Sequence, residues 1–113
     1  MSNKQQIIDI TDRTFDEEVL KKDDKVVLLL IWNEVGQRCK NVNCELLDAI
    51  EDEKLAGKVV YRRIVGYQSN KIDRYGRWDF PTTFIFKNGK RVGSINGVRD
   101  CDEIVEIVAQ HLN

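Results

Sequence analysis

An unbroken apolar run from Val26 to Trp32 constrains the fold of this chain more than any other feature. The run is far too short for a membrane helix, which needs roughly 20 residues, and too short for a typical helix of a globular core. It is typical of a central β-strand that is buried on both faces. The chain is therefore expected to cover both sides of a sheet with further layers.

Strand and helix patterns alternate along the rest of the sequence. The predicted strands are residues 6–10, 26–32, 58–65, 82–86 and 91–95. The predicted helices are residues 14–22, 36–55, 69–75 and 100–112. Capping-box patterns mark the first helix at Thr14 and the last at Asp100, and the Asn88-Gly89 pair predicts a hairpin. This order predicts one α/β domain over residues 1–113, with a mixed sheet of four to five strands and four helices.

Charge excludes several classes of function. The chain has 18 Lys plus Arg and 19 Asp plus Glu, a net charge of −1. Such a chain has no overall basic field to hold nucleic acid or an acidic membrane surface. The first residues lack a charged-then-apolar signal pattern, so the expected location is the cytoplasm.

Histidine and cysteine are too few for several kinds of site. His111 is the one histidine, which leaves no second histidine ligand for a metal and only a terminal residue for a catalytic triad. Cys39, Cys44 and Cys101 are odd in number, which argues against a disulfide framework. Their spacings match no zinc pattern, so neither a metal nor another cofactor is expected. Cys44 is expected at the core or its boundary, and Cys101 as an ordinary surface thiol.

Several short motifs, taken together, resemble the thioredoxin family along nearly the whole chain. They are Thr11-Asp-Arg-Thr-Phe15, Trp32-Asn-Glu34, Tyr75-Gly76, Phe80-Pro-Thr82, Phe86-Lys-Asn-Gly89 and Gly97. The resemblance implies the thioredoxin fold, with Pro81 as the cis-proline beside the active site. It also implies that the loops at Pro81 and Gly97-Val98 hold an extended substrate chain.

The sequence departs from the family pattern at the positions that carry its chemistry. Gly36-Gln37-Arg38-Cys39 stands where the family has Cys-Gly-Pro-Cys. The resemblance therefore implies that the attacking cysteine is replaced by Gly36, while Cys39 retains the resolving position. The buried acid of the family is Leu30 here. Dithiol exchange needs an attacking thiolate and a neighbouring resolving thiol, so the sequence predicts that this chemistry has been lost.

Cys44 cannot supply the missing thiol while the segment is helical. Five helical residues separate two positions by about 7.5 Å of rise and roughly 140° of rotation, whereas disulfides want Cα atoms closer than about 6.8 Å. Cys39 itself is expected in the first turn of a long helix, where the helix terminus stabilises a thiolate. Burial would make it an unreactive remnant of the family's resolving cysteine.

A partner-binding surface is the remaining candidate site. Aromatic side chains mixed with arginine are typical of binding hot spots. The surface is predicted to bind a protein partner or an extended peptide around Cys39 and Pro81. Its candidate residues are Trp32, Gly36, Gln37, Arg38, Trp78, Phe80, Pro81, Gly97, Val98 and Arg99.

Two functions of different class follow from these residues. The first is a thioredoxin-like binding module without dithiol reductase activity. The second is a one-cysteine redox protein or thiol sensor in which Cys39 is catalytic. A weaker third interpretation is an accessory subunit whose site a partner completes. Arg62 and Arg63 must point to opposite faces of their strand. One of them could point inward and would then need a partner, but an exposed position at the end of an edge strand is the simpler expectation.

Overall fold

The structure, a computed structural model, describes residues 7–22 and 24–112. Its five strands form one mixed sheet in the order β1-β3-β2-β4-β5. They are β1 (Ile7–Ile10), β2 (Val26–Trp32), β3 (Val59–Val65), β4 (Thr82–Lys87) and β5 (Lys90–Asn96). β3 pairs in parallel with β1 and β2, whereas β4 pairs antiparallel with β2 and β5. The predicted α/β fold with a mixed sheet is confirmed.

Both faces of β2 are buried, as its apolar run predicts. Alternate residues of the strand contribute to two separate core layers. One layer lies under helices α1 (Gln37–Ala49) and α2 (Cys101–Ala109). The other contains Phe15 and Val19 from the segment between β1 and β2, together with Ile72. The sheet is therefore a middle layer, and its central strand ends at Trp32 beside the start of α1.

The helical segments between strands are shorter than the sequence predicts. The first is a five-residue π-helix, Asp16–Leu20, and the capping box at Thr14 is not formed, because the Thr14 hydroxyl accepts instead from the Thr11 N–H. The third is a 3₁₀ helix, Lys71–Tyr75. α1 ends at Ala49, and beyond it the Asp52 carboxylate accepts from the Lys54 N–H. Such local side-chain bonds compete with helix continuation.

The predicted hairpin and final helix are confirmed. Asn88 and Gly89 both have positive φ, 52° and 80°, as a tight hairpin between β4 and β5 requires. Asp100 and Glu103 form the predicted capping box at the start of α2. Among the described residues, no helix is both long enough and apolar enough to cross a bilayer.

The expectation that the two arginines of β3 lie near an exposed strand end is wrong. β1 covers that side of β3, so the strand lies inside the sheet. Arg62 is 4% exposed and pairs with Glu18 of the π-helix at 3.0 Å. Arg63 points to the opposite face and pairs with Asp9 of β1 at 2.7 Å. Each arginine thus ties β3 to a neighbouring element. The predicted start of β1 at residue 6 lies outside the described residues.

Candidate functional site

The candidate site lies where the end of β2, the start of α1 and the loop before β4 converge. Gly36 is the N-cap of α1, with an extended backbone (φ −77°, ψ 132°). The Phe80–Pro81 peptide bond is cis, as the family resemblance implies. The Gly97 N–H donates to the Pro81 carbonyl at 2.9 Å, which fixes the end of β5 against the proline loop. These contacts bring sequence-distant residues together at one end of the sheet.

Cys39 occupies the first turn of α1, as predicted, and its side chain points into the core. The residue is 2% exposed and packs with Trp32 and Val42 in the layer beneath α1. The Asn33 N–H points at its sulfur, with the nitrogen and Sγ 3.5 Å apart. A Cβ atom at residue 36 would lie 3.5 Å from that sulfur. The sulfur therefore lies directly behind the backbone of Gly36.

A groove of about 420 Å³ runs beside the cis-proline. It is lined by residues from α1, the loop before β4, and both strands of the hairpin. These residues are Arg38, Arg77, Trp78, Asp79, Phe80, Pro81, Thr82, Arg91, Ser94, Asn96 and Gly97. Five of the residues singled out from the sequence therefore meet here. Cys39 is not among the lining residues.

Trp78 and Phe80 form the aromatic wall of the groove. Their rings meet edge to face, with centroids 5.2 Å apart. The Trp78 indole donates to Asp73 at 2.8 Å, which fixes its orientation. A Cβ at Gly66 would lie 2.8 Å from each ring, so only glycine allows this packing. Trp78 packs on the core layer opposite α1 and Phe80 on the layer that contains Cys39, so the pair joins the two layers beyond the strand ends.

Trp32 lies beside the groove rather than in it. Its ring is 9% exposed and packs under the Arg63 guanidinium, whose carbon is 4.7 Å from the ring centroid. Arg63 also donates to Asn43 of α1 at 3.2 Å, and Asn43 accepts from the Tyr61 hydroxyl at 2.6 Å. Burial raises the pKa of Tyr61, although Arg63 opposes the shift. Trp32 thus belongs to a fixed polar network that holds α1 on the sheet.

Two predicted residues lie in a neighbouring depression rather than in the groove. Val98 and Arg99 line it together with Cys44, and Arg99 lies 4.0 Å from Glu103. Cys44 is exposed, so its expected place in the core or at the core boundary is wrong. The helix turns this position away from the sheet, as the buried neighbours Val42 and Leu46 indicate.

Cys101 is half-buried at the start of α2, and its N–H donates to the Glu45 carboxylate at 2.7 Å. Burial raises the pKa of the Cys101 thiol, and the nearby acidic residues, Asp102 first among them, raise it further. No group of three metal-ligating side chains comes together among the described residues.

Leu30, the residue that replaces the family's acid, is fully buried beneath the site. It pairs across the sheet with Thr83 of β4. The Thr83 hydroxyl is also buried and has no hydrogen-bond partner within the part of the chain that the structure describes. The Thr83 hydroxyl therefore lies opposite a leucine side chain, which cannot accept a hydrogen bond from it.

Four large side chains at this end of the sheet are not among the site residues predicted from the sequence. Arg77 and Arg91 line the groove, whereas Val35 (75% exposed) and Tyr67 (62% exposed) flank Gly36 and β3 as large exposed side chains. The Tyr67 hydroxyl donates to Glu34 at 3.2 Å, which raises the pKa of Tyr67. Arg77 adjoins Trp78 in sequence and could have been included, but the position of Arg91 depends on the register of the hairpin.

A cis-proline loop packed against the start of a helix that follows a buried central strand defines a thioredoxin-like protein. A model of the Thioredoxin family matches residues 6–110. Protein disulfide-isomerase A6 of Mesocricetus auratus is 33% identical over 92% of this chain, and the match spans about a quarter (24%) of that protein. A Rickettsia felis thioredoxin is 32% identical over 86% of this chain and 90% of its own length. A Rickettsia bellii thioredoxin is 25% identical over 91% of this chain and 96% of its own length. The chain belongs to the thioredoxin family.

Proposed function

We propose that this protein is a thioredoxin-fold binding module that has lost dithiol disulfide-reductase chemistry and binds an extended segment of a partner protein in the groove beside Pro81. The observation that carries the proposal is the burial of Cys39 behind a residue that has no thiol. Cys39 is 2% exposed, and the residue in front of it, Gly36, has no side chain to attack a disulfide.

The loss of the attacking thiol removes the first step of dithiol exchange. That step needs an exposed thiolate, and the second needs a neighbouring thiol that can reach the mixed disulfide. Cys44 is exposed but lies five residues further along α1, on the side that faces the neighbouring depression. Leu30 offers no carboxylate for proton transfer. Three separate parts of the chemistry are thus absent from the residues at this site.

The groove supports binding independently of any thiol. Its aromatic wall is held rigidly by the Trp78–Asp73 hydrogen bond and by the close approach to Gly66. Rigid aromatic side chains beside arginine are enriched among residues that dominate binding energy. A pre-formed wall also lowers the entropic cost of association.

One observation favours a second candidate function, a monothiol redox protein or sensor that acts through Cys39. The Asn33 N–H is directed at the Cys39 sulfur, and Gly36 leaves that sulfur covered only by backbone on one side. Burial opposes this function, because a thiol reacts only when a reagent can reach it.

The test compares the wild type with Cys39→Ser and Trp78→Ala. A permanently unfolded polypeptide whose cysteines are blocked with iodoacetamide serves as the extended ligand, and insulin serves as the disulfide substrate. We expect neither the wild type nor Cys39→Ser to accelerate insulin reduction by dithiothreitol. Both should bind the blocked polypeptide equally, whereas Trp78→Ala should bind at least tenfold more weakly. Insulin reduction that depends on Cys39 would instead establish the monothiol function.

We also propose that the protein works in the cytoplasm. Its cysteines are unpaired, and Cys44 is exposed. Free exposed thiols fit a reducing compartment, since oxidising compartments favour disulfides.

A further inference from the structure

Positive charge is concentrated in the groove of a chain that is otherwise nearly neutral. Arg38, Arg77 and Arg91 all line the groove, against one acidic residue, Asp79. The lining therefore carries a formal charge of +2 (three arginines less one aspartate), whereas the whole chain carries −1. This segregation is invisible in the overall composition.

None of the three arginines pairs with an acidic residue that the structure describes. Within residues 7–22 and 24–112, none of them forms an ion pair within 4.0 Å, in contrast to Arg62, Arg63 and Arg99, which do. The carboxylate of Asp79 accepts from the Phe80 N–H at 2.8 Å, which fixes it in its own turn. The groove thus offers guanidinium groups that no acidic side chain in the described part of the chain neutralises.

The arginines reach the groove at separated points. A Cβ atom added to Gly97, at the end of β5, would lie 3.6 Å from a guanidinium nitrogen of Arg38. A Cβ atom added to Gly76, in the loop before β4, would lie 3.6 Å from a guanidinium nitrogen of Arg91. The Arg91 guanidinium also packs over the Phe84 ring, with its carbon 5.3 Å from the centroid. The guanidinium groups of Arg38 and Arg91 therefore lie close to the backbone at Gly97 and Gly76, respectively.

We propose that the segment bound in this groove is an extended acidic peptide, whose glutamate or aspartate carboxylates pair with Arg38, Arg77 and Arg91. The inference rests on the proposed binding function and adds the chemistry of the partner. Guanidinium groups bind carboxylates through two parallel hydrogen bonds, which give both energy and orientation. An extended chain presents every second side chain to one face, about 6.6 Å apart. Carboxylates at alternate positions can thus reach successive arginines, whereas the side chains between them point away from the groove.

The experiment measures fluorescence polarisation of three labelled nine-residue peptides. In the acidic peptide Glu alternates with Val, and Gln or Lys replaces every Glu in the other two. We expect the acidic peptide to bind at least tenfold more tightly than the Gln peptide, and the Lys peptide to bind most weakly. Raising NaCl from 50 to 300 mM should weaken binding of the acidic peptide and leave the Gln peptide nearly unchanged, since salt screens exposed charges.

Variants of the groove arginines test the site itself. Arg77→Gln and Arg91→Gln should each weaken the acidic peptide about fivefold. Arg91→Lys, which retains the charge but not the paired geometry, should give a smaller loss. The matched control is Arg13→Gln, an exposed arginine outside the groove, which should bind like the wild type. Thermal unfolding of each variant excludes loss of the fold as the cause.

The outcomes separate this inference from the function on which it rests. Equal binding of the acidic and Gln peptides, with no effect of the arginine variants, would overturn the acidic preference and leave the binding module intact. Failure of all three peptides to bind at millimolar concentration would overturn the groove as a peptide site altogether. The inference is also overturned if Arg13→Gln weakens binding as much as Arg91→Gln does.

Discussion

Gly36→Cys should create a disulfide with Cys39. The backbone at residue 36 is extended with negative φ, which any residue adopts without strain. A Cβ there would lie 3.8 Å from the Cβ of Cys39 and no closer than 3.4 Å to any other atom. Disulfides have Cβ atoms about 3.5–4.5 Å apart, so the site already has the separation that the bond requires.

The expected gain in stability is modest because the closed loop is short. The chain-entropy relation for a loop of four residues gives about 2 kcal/mol. For a domain of this size that corresponds to roughly 8 °C in Tm. The assay is thermal unfolding of Gly36→Cys with and without dithiothreitol. Gly36→Ala serves as the control, since it adds the same Cβ without sulfur and should show no dependence on reductant.

The Gly36→Cys variant is also expected to have limited reductase activity. Leu30 still supplies no carboxylate, so Gly36→Cys should reduce insulin only weakly. Adding Leu30→Asp should raise the rate, because its carboxylate would supply the missing proton-transfer group, and the buried Thr83 hydroxyl opposite could donate a hydrogen bond to it. Free thiols at both residue 36 and residue 39 of air-oxidised Gly36→Cys, located by mass spectrometry of alkylated peptides, would refute the geometric argument. Full reductase activity of the single variant would show that the missing acid is unimportant.

Three further predictions concern other parts of the molecule. A small thiol reagent should label the exposed Cys44 in the folded protein at least tenfold faster than the buried Cys39, and comparable rates by mass spectrometry would contradict the burial argument. Gly66→Ala should lower the free energy of unfolding by about 1–3 kcal/mol, because the new methyl group overlaps the rings of the groove wall; urea titration measures this loss, and an unchanged midpoint would contradict it. Burial alone would raise the pKa of Asp12, but hydrogen bonds from the Ser69 hydroxyl and two backbone N–H groups outweigh it and lower that pKa. Its charge therefore stabilises the fold above the unfolded-state pKa, and this contribution is lost as pH falls through the lower folded-state value. Asp12→Asn should be less stable than the wild type by about 1–2 kcal/mol at pH 7, with the difference shrinking below about pH 4.

Strong local patterns made most of the fold predictable. The apolar run of β2, the Asn88-Gly89 turn and the Asp100 capping box each specify their structure within a few residues, and each is confirmed. The helix expected at Thr14 became a short π-helix, because local hydrogen bonds of Thr11 and Thr14 replace the capping box. The sequence allowed one arginine of β3 to point inward but could not identify Glu18 as its partner, since that depends on how the π-helix packs on the sheet.

The candidate site was predictable where the family resemblance supplied the geometry. The sequence placed Arg38, Trp78, Phe80, Pro81 and Gly97 together, and these residues line the groove. Sequence order alone could not reveal the arginine of β5, because its side chain reaches the groove only through the irregular register after residue 85. Sequence order also could not reveal that Val98 and Arg99 lie outside the groove that Gly97 lines. The chain turns away from the groove at Gly97, whose φ is positive, 74°.

The position of β5 at the edge of the sheet bears on self-association. Within the described residues, one side of its backbone has no neighbouring strand. Lys90 and Arg91 are exposed beside Val92 on this strand. Lysine and arginine side chains on an open edge strand are one of the ways in which natural sheets discourage pairing with a second copy. The charged start of β5 therefore disfavours association of two copies of the chain through this edge.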